Sequence, residues 1–198
     1  MTEKTSDGGG TEREQYFSLR QGDVLEFWSE GSFVVRTVFL CREMAGNRTF
    51  EWRWMLLDDE SLVEVSPDGF YRYRDHRVLR QGTSQYEEIV AQDGALVRFE
   101  ERVRDSTSGR RPVHLTLEER TFRITSTGTV AVERLGDEPD IVPWASFSPV
   151  QEDNVYFGLA EVDVEDSFGL GLWTAHVSVC FGREFDPSEV TIYRAERK

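Results

Sequence analysis

Alternation of apolar and polar residues with a period of two is the feature that most restricts the fold of this chain. Phe50, Trp52 and Trp54 alternate with Glu51 and Arg53. Successive side chains of a β-strand point to opposite faces of the sheet, so this pattern predicts a strand with one buried and one solvated face. Similar alternation recurs along the chain, and we therefore predict that its regular structure is mainly β-strand.

The predicted strands are short and are separated by turns rich in Gly, Pro, Asp and Ser. They cover residues 24–28, 33–40, 49–55, 61–65, 70–74, 86–90, 95–103, 113–117, 121–125, 129–135, 155–164, 172–181 and 189–193. No window of a dozen residues has a convincing helical period. The nearest one, residues 80–91, contains Gly82 and Thr83, which disfavour the interior of a helix.

Many short strands with frequent turns are typical of sandwiches and barrels. We predict an all-β fold of antiparallel strands in a barrel- or sandwich-like arrangement. A similarity between residues 25–35 and residues 113–124 suggests that the fold has two similar halves. An ancient duplication and the generic pattern of antiparallel hairpins both explain this similarity, and the sequence leaves the choice open.

The domain organisation is predicted from composition along the chain. Residues 1–14 are mostly Gly, Ser, Thr and charged residues, and we predict a disordered tail there. A first β unit is predicted for residues 15–104, and a second one, packed on the first, for residues 113–198. The polar residues 105–112 are the predicted connection between them.

Charge and hydropathy exclude several classes of protein. The chain of 198 residues has 37 Asp and Glu against 23 Lys and Arg, which gives a formal net charge of −14. The phosphate backbone repels such a chain, so we expect no nucleic-acid partner. The longest uncharged stretch, residues 167–182, is shorter than the roughly 20 apolar residues of a spanning helix. We therefore expect a soluble protein without a transmembrane segment.

The N-terminal residues and the cysteines predict a cytoplasmic location. Residues 1–15 have no apolar core of the kind that a signal peptide needs. Cys41 and Cys180 lie among apolar neighbours without CxxC spacing, which is typical of buried, reduced thiols in the cytosol. A disulfide between these two cysteines is the alternative.

Several runs of residues resemble one bacterial family. They are Leu19-Arg20-Gln21-Gly22-Asp23-Val24, Phe33-Val34-Val35, Trp52-Arg53-Trp54-Met55-Leu56-Leu57-Asp58-Asp59 and Gly128-Thr129-Val130-Ala131-Val132-Glu133. Over most of residues 19–166 the chain resembles the bacterial domain of unknown function 4178 family. That family has no established activity or catalytic residues, so none is carried over. Its members are often encoded near membrane-stress proteins, so the resemblance implies an accessory or scaffolding role.

Catalytic and metal-binding motifs are weak in this sequence. His76, His114 and His176 are widely separated and lack the spacing of metal ligands. His176 and Cys180 would lie roughly 13 Å apart on one strand, too far for a nucleophile and its base. Residues 169–173, rich in glycine, lack the ending of a phosphate loop, so we interpret them as a flexible turn or bulge. We predict no catalytic residue, metal or cofactor, and an enzyme is the less favoured class.

Acidic residues provide the leading hypothesis for function. Glu161, Asp163 and Glu165 alternate with apolar residues, which predicts three carboxylates in line on one strand face. We predict a non-enzymatic binding or scaffold module in which these residues meet a basic protein partner. A divalent cation at this row, or an ordinary solvated face, are the alternatives.

Aromatic residues provide a second hypothesis, from a different class. The chain has 5 Trp, 6 Tyr and 13 Phe. A β-barrel lined with aromatic side chains can hold an apolar ligand, and the candidates for such a lining are Trp28, Trp52, Trp54, Trp144, Trp173, Phe50, Tyr71, Tyr73 and Tyr156. Trp52, Trp54 and Trp173 are the predicted ligand-binding residues of such a small-ligand carrier. The structural alternative is that these side chains fill the core or an oligomer interface.

Overall fold

The computed structural model describes residues 12–105, 112–136, 153–174 and 176–196. The helices are α1 (Glu12–Phe17), α2 (Ser84–Val90) and α3 (Ala95–Arg104). The strands are β1 (Val24–Phe27), β2 (Gly31–Ala45), β3 (Arg48–Leu57), β4 (Leu62–Ser66), β5 (Gly69–Leu79), β6 (His114–Leu117), β7 (Arg120–Leu135), β8 (Asn154–Glu161), β9 (Ser167–Trp173), β10 (Val177–Glu184) and β11 (Val190–Tyr193). A short 3-10 turn, Pro187–Glu189, precedes β11.

Eight antiparallel strands close into a barrel. Their order is β2-β3-β4-β5-β10-β9-β8-β7, and the second half of β2 pairs with β7 to complete the ring. Outside the ring, β1 lies between the first part of β2 and β11, while β6 pairs with the start of β7. The prediction of an all-β, antiparallel and barrel-like fold is confirmed.

Each predicted half contributes four neighbouring strands to the ring. Strands β2 to β5 come from the first half and β7 to β10 from the second, and the halves join where β5 meets β10 and β2 meets β7. In each half a short strand pairs with the start of a long one, β1 with β2 and β6 with β7. These hairpins contain the similar segments 25–35 and 113–124. A duplication would produce this order, but it stays a prediction.

The predicted tail and connection lie partly outside the described residues. These undescribed parts are residues 1–11 of the predicted tail and residues 106–111 of the predicted connection. Residues 12–14, which we predicted to be tail, begin α1. Tyr16 in this helix is buried, and its ring centroid lies 5.1 Å from that of Phe70. This contact anchors the helix on the outside of the barrel.

The prediction of a strand at residues 86–90 is wrong, because these residues lie in helix α2. The hydroxyl of Thr83 accepts a hydrogen bond from the backbone N–H of Tyr86 at 3.3 Å. Thr83 is therefore the N-cap of the helix, a position that threonine favours, and not part of its interior. Gly82 lies in the turn before it, with a φ of 86° that suits glycine.

The prediction of a strand at residues 95–103 is also wrong, because these residues lie in helix α3. Ala95 and Leu96 are buried and Phe99 packs against the same hydrophobic cluster. Their spacing, one and four residues apart, is that of a single helix face. The apolar residues of this segment therefore follow the helical period, which the sequence-based interpretation assigned to a strand.

The predicted strand at residues 172–181 is a hairpin of two strands. Strand β9 ends at Trp173 and β10 begins at Val177. In the turn, the backbone N–H of Thr174 donates to the carbonyl of His176 at 3.0 Å. Residues 169–173, which we interpreted as a flexible turn or bulge, lie inside β9, so that prediction is wrong.

Side chains of the ring strands alternate between the barrel interior and its outer surface. The buried interior cluster contains Phe39, Cys41, Trp52, Trp54, Leu56, Leu62, Tyr73, Val130, Val132, Leu170, Leu172 and Cys180. On the outside, one apolar cluster lies under α2, α3 and β6, and another lies under α1, β1 and β11. Both cysteines are buried and unbridged, as predicted. Within the described residues, none of the helices has the length and apolar character needed to cross a membrane.

Candidate functional site

One end of the barrel opens into a cavity of about 480 Å³. It lies where β2, β4 and β8 end and where β3, β5 and β9 begin. Six aromatic side chains line it, namely Phe50, Trp52, Tyr71, Tyr73, Tyr156 and Phe168. The volume falls within the range of roughly 300 to 1,000 Å³ that is typical of small-molecule sites.

The aromatic side chains form two walls. On one wall, Trp52 of β3 and Tyr156 of β8 meet edge to face, with ring centroids 5.5 Å apart and an interplanar angle of 64°. On the other, Tyr71 of β5 and Phe168 of β9 meet at 5.2 Å and 63°. Each of these residues lies at an inward position of its strand, so the period-two pattern directs the rings into the barrel. These contacts hold the rings in fixed orientations.

A glutamate is among the residues that line the cavity. Glu64 of β4 is opposite Trp54 of β3, whose indole N–H donates to a carboxylate oxygen of Glu64 at 2.9 Å. The side chain is half-buried, and its desolvation raises its pKa from 4.5 to about 7. Near neutral pH, Glu64 therefore occupies both protonation states, charged and neutral.

The rim of the cavity is also acidic. The hydroxyl of Tyr156 donates to the carboxylate of Glu43 at 2.9 Å, and burial together with this bond raises the pKa of Tyr156. Asp68, in the turn between β4 and β5, is the third lining carboxylate. Among the described residues that line the cavity there is no Lys, Arg or His. The cavity therefore has a negative potential.

The three predicted ligand-binding tryptophans have different positions. Trp52 lines the cavity. Trp54 is fully buried and reaches the cavity only through its hydrogen bond to Glu64. Trp173 packs against the outer cluster beneath the helices. Because Leu172 points into the barrel, strand alternation directs Trp173 outward, away from the cavity.

The predicted row of carboxylates at Glu161, Asp163 and Glu165 is not formed. Strand β8 ends at Glu161, and Asp163 lies in the following turn with a φ of 62°. Aspartate tolerates this left-handed conformation, which ends the strand alternation. Glu161 accepts hydrogen bonds from Arg120 Nε at 3.0 Å and from Ser167 Oγ at 2.6 Å. Its carboxylate therefore has partners within the chain.

The two cysteines, Cys41 and Cys180, are buried thiols. Burial raises the pKa of Cys180 well above its ordinary value, so the thiol stays protonated at neutral pH. Across the described ranges, no group of three or more His, Cys, Asp and Glu side chains is arranged to hold a metal ion. The chemistry of the cavity depends instead on carboxylates and aromatic rings.

Sequence analysis found part of the cavity. Five of its six aromatic lining residues belong to the aromatic set that we considered for a ligand-holding barrel, although only tryptophans were selected as ligand-binding residues. Phe168 lies between two predicted strands and was missed. The sequence around Glu64 does indicate that this residue faces an interior. It shares a strand face with Leu62 and is flanked by Val63 and Val65 on the other face. A carboxylate in a strand that is apolar on both faces is a candidate for a buried functional group.

Comparisons with family models, with curated proteins and with solved structures found no match for this chain. The resemblance to the domain of unknown function 4178 family therefore stays a prediction from the sequence.

Proposed function

We propose that this chain is a small-ligand-binding protein that takes up a molecule with an apolar body in the mouth of its barrel. The observation that carries this proposal is the cavity of about 480 Å³ with six aromatic side chains in its lining. Apolar surface removed from water there contributes about 25 cal/mol per Å². The proposal corresponds to the second of the two sequence-based hypotheses, with Trp52 as its predicted contact.

The fixed orientation of the rings supports this proposal. Edge-to-face contacts between Trp52 and Tyr156, and between Tyr71 and Phe168, hold each wall in place without a ligand. A preformed site loses little conformational entropy when a ligand binds. A few polar groups among apolar walls, here including Glu64, are the usual way in which such sites orient a ligand.

The scaffold hypothesis has less support. Its predicted row of carboxylates is interrupted by a turn, and Glu161 is paired with Arg120. The net charge of −14 is what remains in its favour. We also propose a cytoplasmic location, because the two cysteines are unbridged and buried, which fits a reducing compartment.

A second candidate function is acid–base catalysis by Glu64. A carboxyl group with a pKa of about 7 in an apolar cavity has the protonation behaviour of a general acid or base. The two candidates differ in what happens to the bound molecule. A carrier releases it unchanged, whereas an enzyme releases a product, and mass spectrometry of the released compound distinguishes them.

The binding proposal is tested with N-phenylnaphthylamine, a neutral probe whose fluorescence increases in an apolar environment. We expect a saturable increase at one probe per chain. Ser126 is exposed at the cavity mouth, so Ser126→Trp places a large ring in the opening without disturbing the core. This variant is expected to weaken probe binding at least tenfold.

Thr121→Trp is the matched control, because Thr121 is exposed on the same strand but does not line the cavity. We expect it to bind the probe like the unchanged protein. The proposal is wrong if the probe shows no saturable binding, or if Ser126→Trp binds it as tightly as the control does.

A further inference from the structure

We propose that the ligand of this cavity is a small organic cation, an ammonium group on an apolar body, with its charged head beside Glu64 and its body between the aromatic walls. This inference rests on the proposed ligand-binding function and specifies the chemistry of the ligand.

The charges of the lining are the first argument. Glu43, Glu64 and Asp68 contribute three carboxyl groups, and the lining residues within the described ranges include no basic side chain. A site for a neutral apolar molecule has no need of three acidic groups, and a site for a fatty acid or another anion would repel its ligand. An ammonium group is the complement of this lining.

Glu64 is the second argument. The indole N–H of Trp54 donates to its carboxylate at 2.9 Å, while the nearby charge of Asp68 opposes its ionisation. Burying a carboxylate without an opposite charge is unfavourable. A cation beside Glu64 would supply the missing charge and favour the ionised carboxylate.

The aromatic walls are the third argument. The faces of Trp and Tyr rings carry negative electrostatic potential and attract a cation within about 6 Å of the ring centroid. Tyr71 and Tyr73 stack at 6.3 Å and 23°, and both lie on the strand that neighbours β4. Trp52 and Tyr156 form the opposite wall. An ammonium head at Glu64 would therefore lie among aromatic rings as well as beside a carboxylate.

The ionisable groups that face Glu64 stay neutral near pH 7. Cys41 of β2, Tyr71 and Tyr73 of β5, Tyr156 of β8 and Cys180 of β10 all interact with Glu64, and burial raises the pKa of each. Among the described residues, the other charged groups that line the cavity are the carboxyl groups of Glu43 and Asp68, and the charge of Glu184 acts on Tyr71. Cation binding is therefore expected to strengthen as pH rises from about 6 to about 8, because Glu64 loses its proton in this range.

Three probes with the same ring system test this inference by calorimetry at about pH 8. They are naphthylmethylamine, which is a cation, naphthylmethanol, which is neutral, and naphthoate, which is an anion. We expect the amine to bind at least tenfold more tightly than the alcohol, and naphthoate to bind more weakly than either. In Glu64→Gln, the tenfold preference for the amine over the alcohol is expected to disappear.

Glu88→Gln is the matched control, since it removes one exposed carboxylate on α2, far from the cavity. It is expected to keep the full preference for the amine. The inference is overturned if the amine and the alcohol bind equally well to the unchanged protein, or if Glu64→Gln keeps the preference. If the alcohol still binds in those cases and Ser126→Trp blocks it, the binding function stands without the cation. If none of the neutral probes binds, the proposed function itself fails.

Discussion

Replacing Gly171 with alanine is expected to destabilise the barrel by about 3 kcal/mol, at the upper end of what overpacking of a core costs. Gly171 in β9 lies opposite Phe157 in β8, and the Phe157 ring is completely buried. A Cβ atom at Gly171 would collide with the Cζ, Cε1 and Cε2 atoms of that ring. Urea denaturation should show a lower midpoint with an unchanged slope, because the variant and the unchanged protein expose the same amount of additional surface on unfolding.

Two controls identify the ring contact as the cause. In Gly158→Ala in β8, the closest atoms to the new Cβ are the hydroxyls of Ser126 and Thr125, at 2.6 and 2.8 Å, and exposed hydroxyls can rotate away. It is expected to cost less than about 1 kcal/mol. In a Phe157→Leu background the colliding ring atoms are absent, so the cost of Gly171→Ala should fall sharply. An equal cost in both backgrounds would show that another contact is responsible.

The role of Gly171 illustrates what a sequence pattern cannot show. Glycine usually marks turns and bulges, and this supported the interpretation of residues 169–173 as a flexible turn. In the barrel, the ring of Phe157 lies over Gly171, and a Cβ at Gly169 would lie 3.2 Å from the ring of Phe181. These pairs depend on the register of β8, β9 and β10. No local pattern contains that register, so the error could not be avoided from the sequence alone.

Period-two alternation was sufficient for the fold class. It identified the inward face of β3, because Phe50, Trp52 and Trp54 alternate there with Glu51 and Arg53. It failed for α2 and α3, which have 7 and 10 residues. Over so few residues, helical and strand periods both match the same apolar positions. It also failed beyond Glu161, where alternation continues in the sequence although the strand ends.

The candidate site was predictable only in part, because its charged group lies in a strand that is covered on both sides. Val63 and Val65 face the outer cluster next to α1, so Glu64 faces the barrel interior. In an open sheet the same residue would be interpreted as part of a solvated face. Closure of the ring by β2 and β7 makes that face an interior, and the sequence contains no local signal for closure.

Replacing Glu64 with glutamine is expected to stabilise the free protein by about 3 kcal/mol at about pH 8 and to have little effect near pH 4. Burial raises the pKa of Glu64 from 4.5 to about 7 in the folded state. The folded protein therefore holds a proton that the unfolded chain has released. The contribution of Glu64 to stability is complete below pH 4.5, the pKa in the unfolded chain, and is lost as pH rises through about 7, the pKa in the folded protein. Glutamine is neutral throughout and keeps an acceptor for the Trp54 indole N–H.

Thermal unfolding of both proteins between about pH 4 and pH 8 measures this effect, and about 3 kcal/mol corresponds to a shift on the order of 10 °C for a chain of this size. Glu88→Gln, on the surface of α2, should follow the unchanged protein at every pH. A difference between Glu64→Gln and the unchanged protein that stays constant with pH, or shrinks as pH rises, would contradict the raised pKa.

The same measurement with naphthylmethylamine present connects stability to the proposed ligand. A ligand that binds the folded state raises its stability in proportion to the logarithm of its concentration over the dissociation constant. At about pH 8 the amine should therefore raise the melting temperature of the unchanged protein and have a much smaller effect on Glu64→Gln. The ionised carboxylate that destabilises the empty barrel would then be the group that gives the cavity its affinity for a cation. Functional sites often show such an opposition between stability and binding.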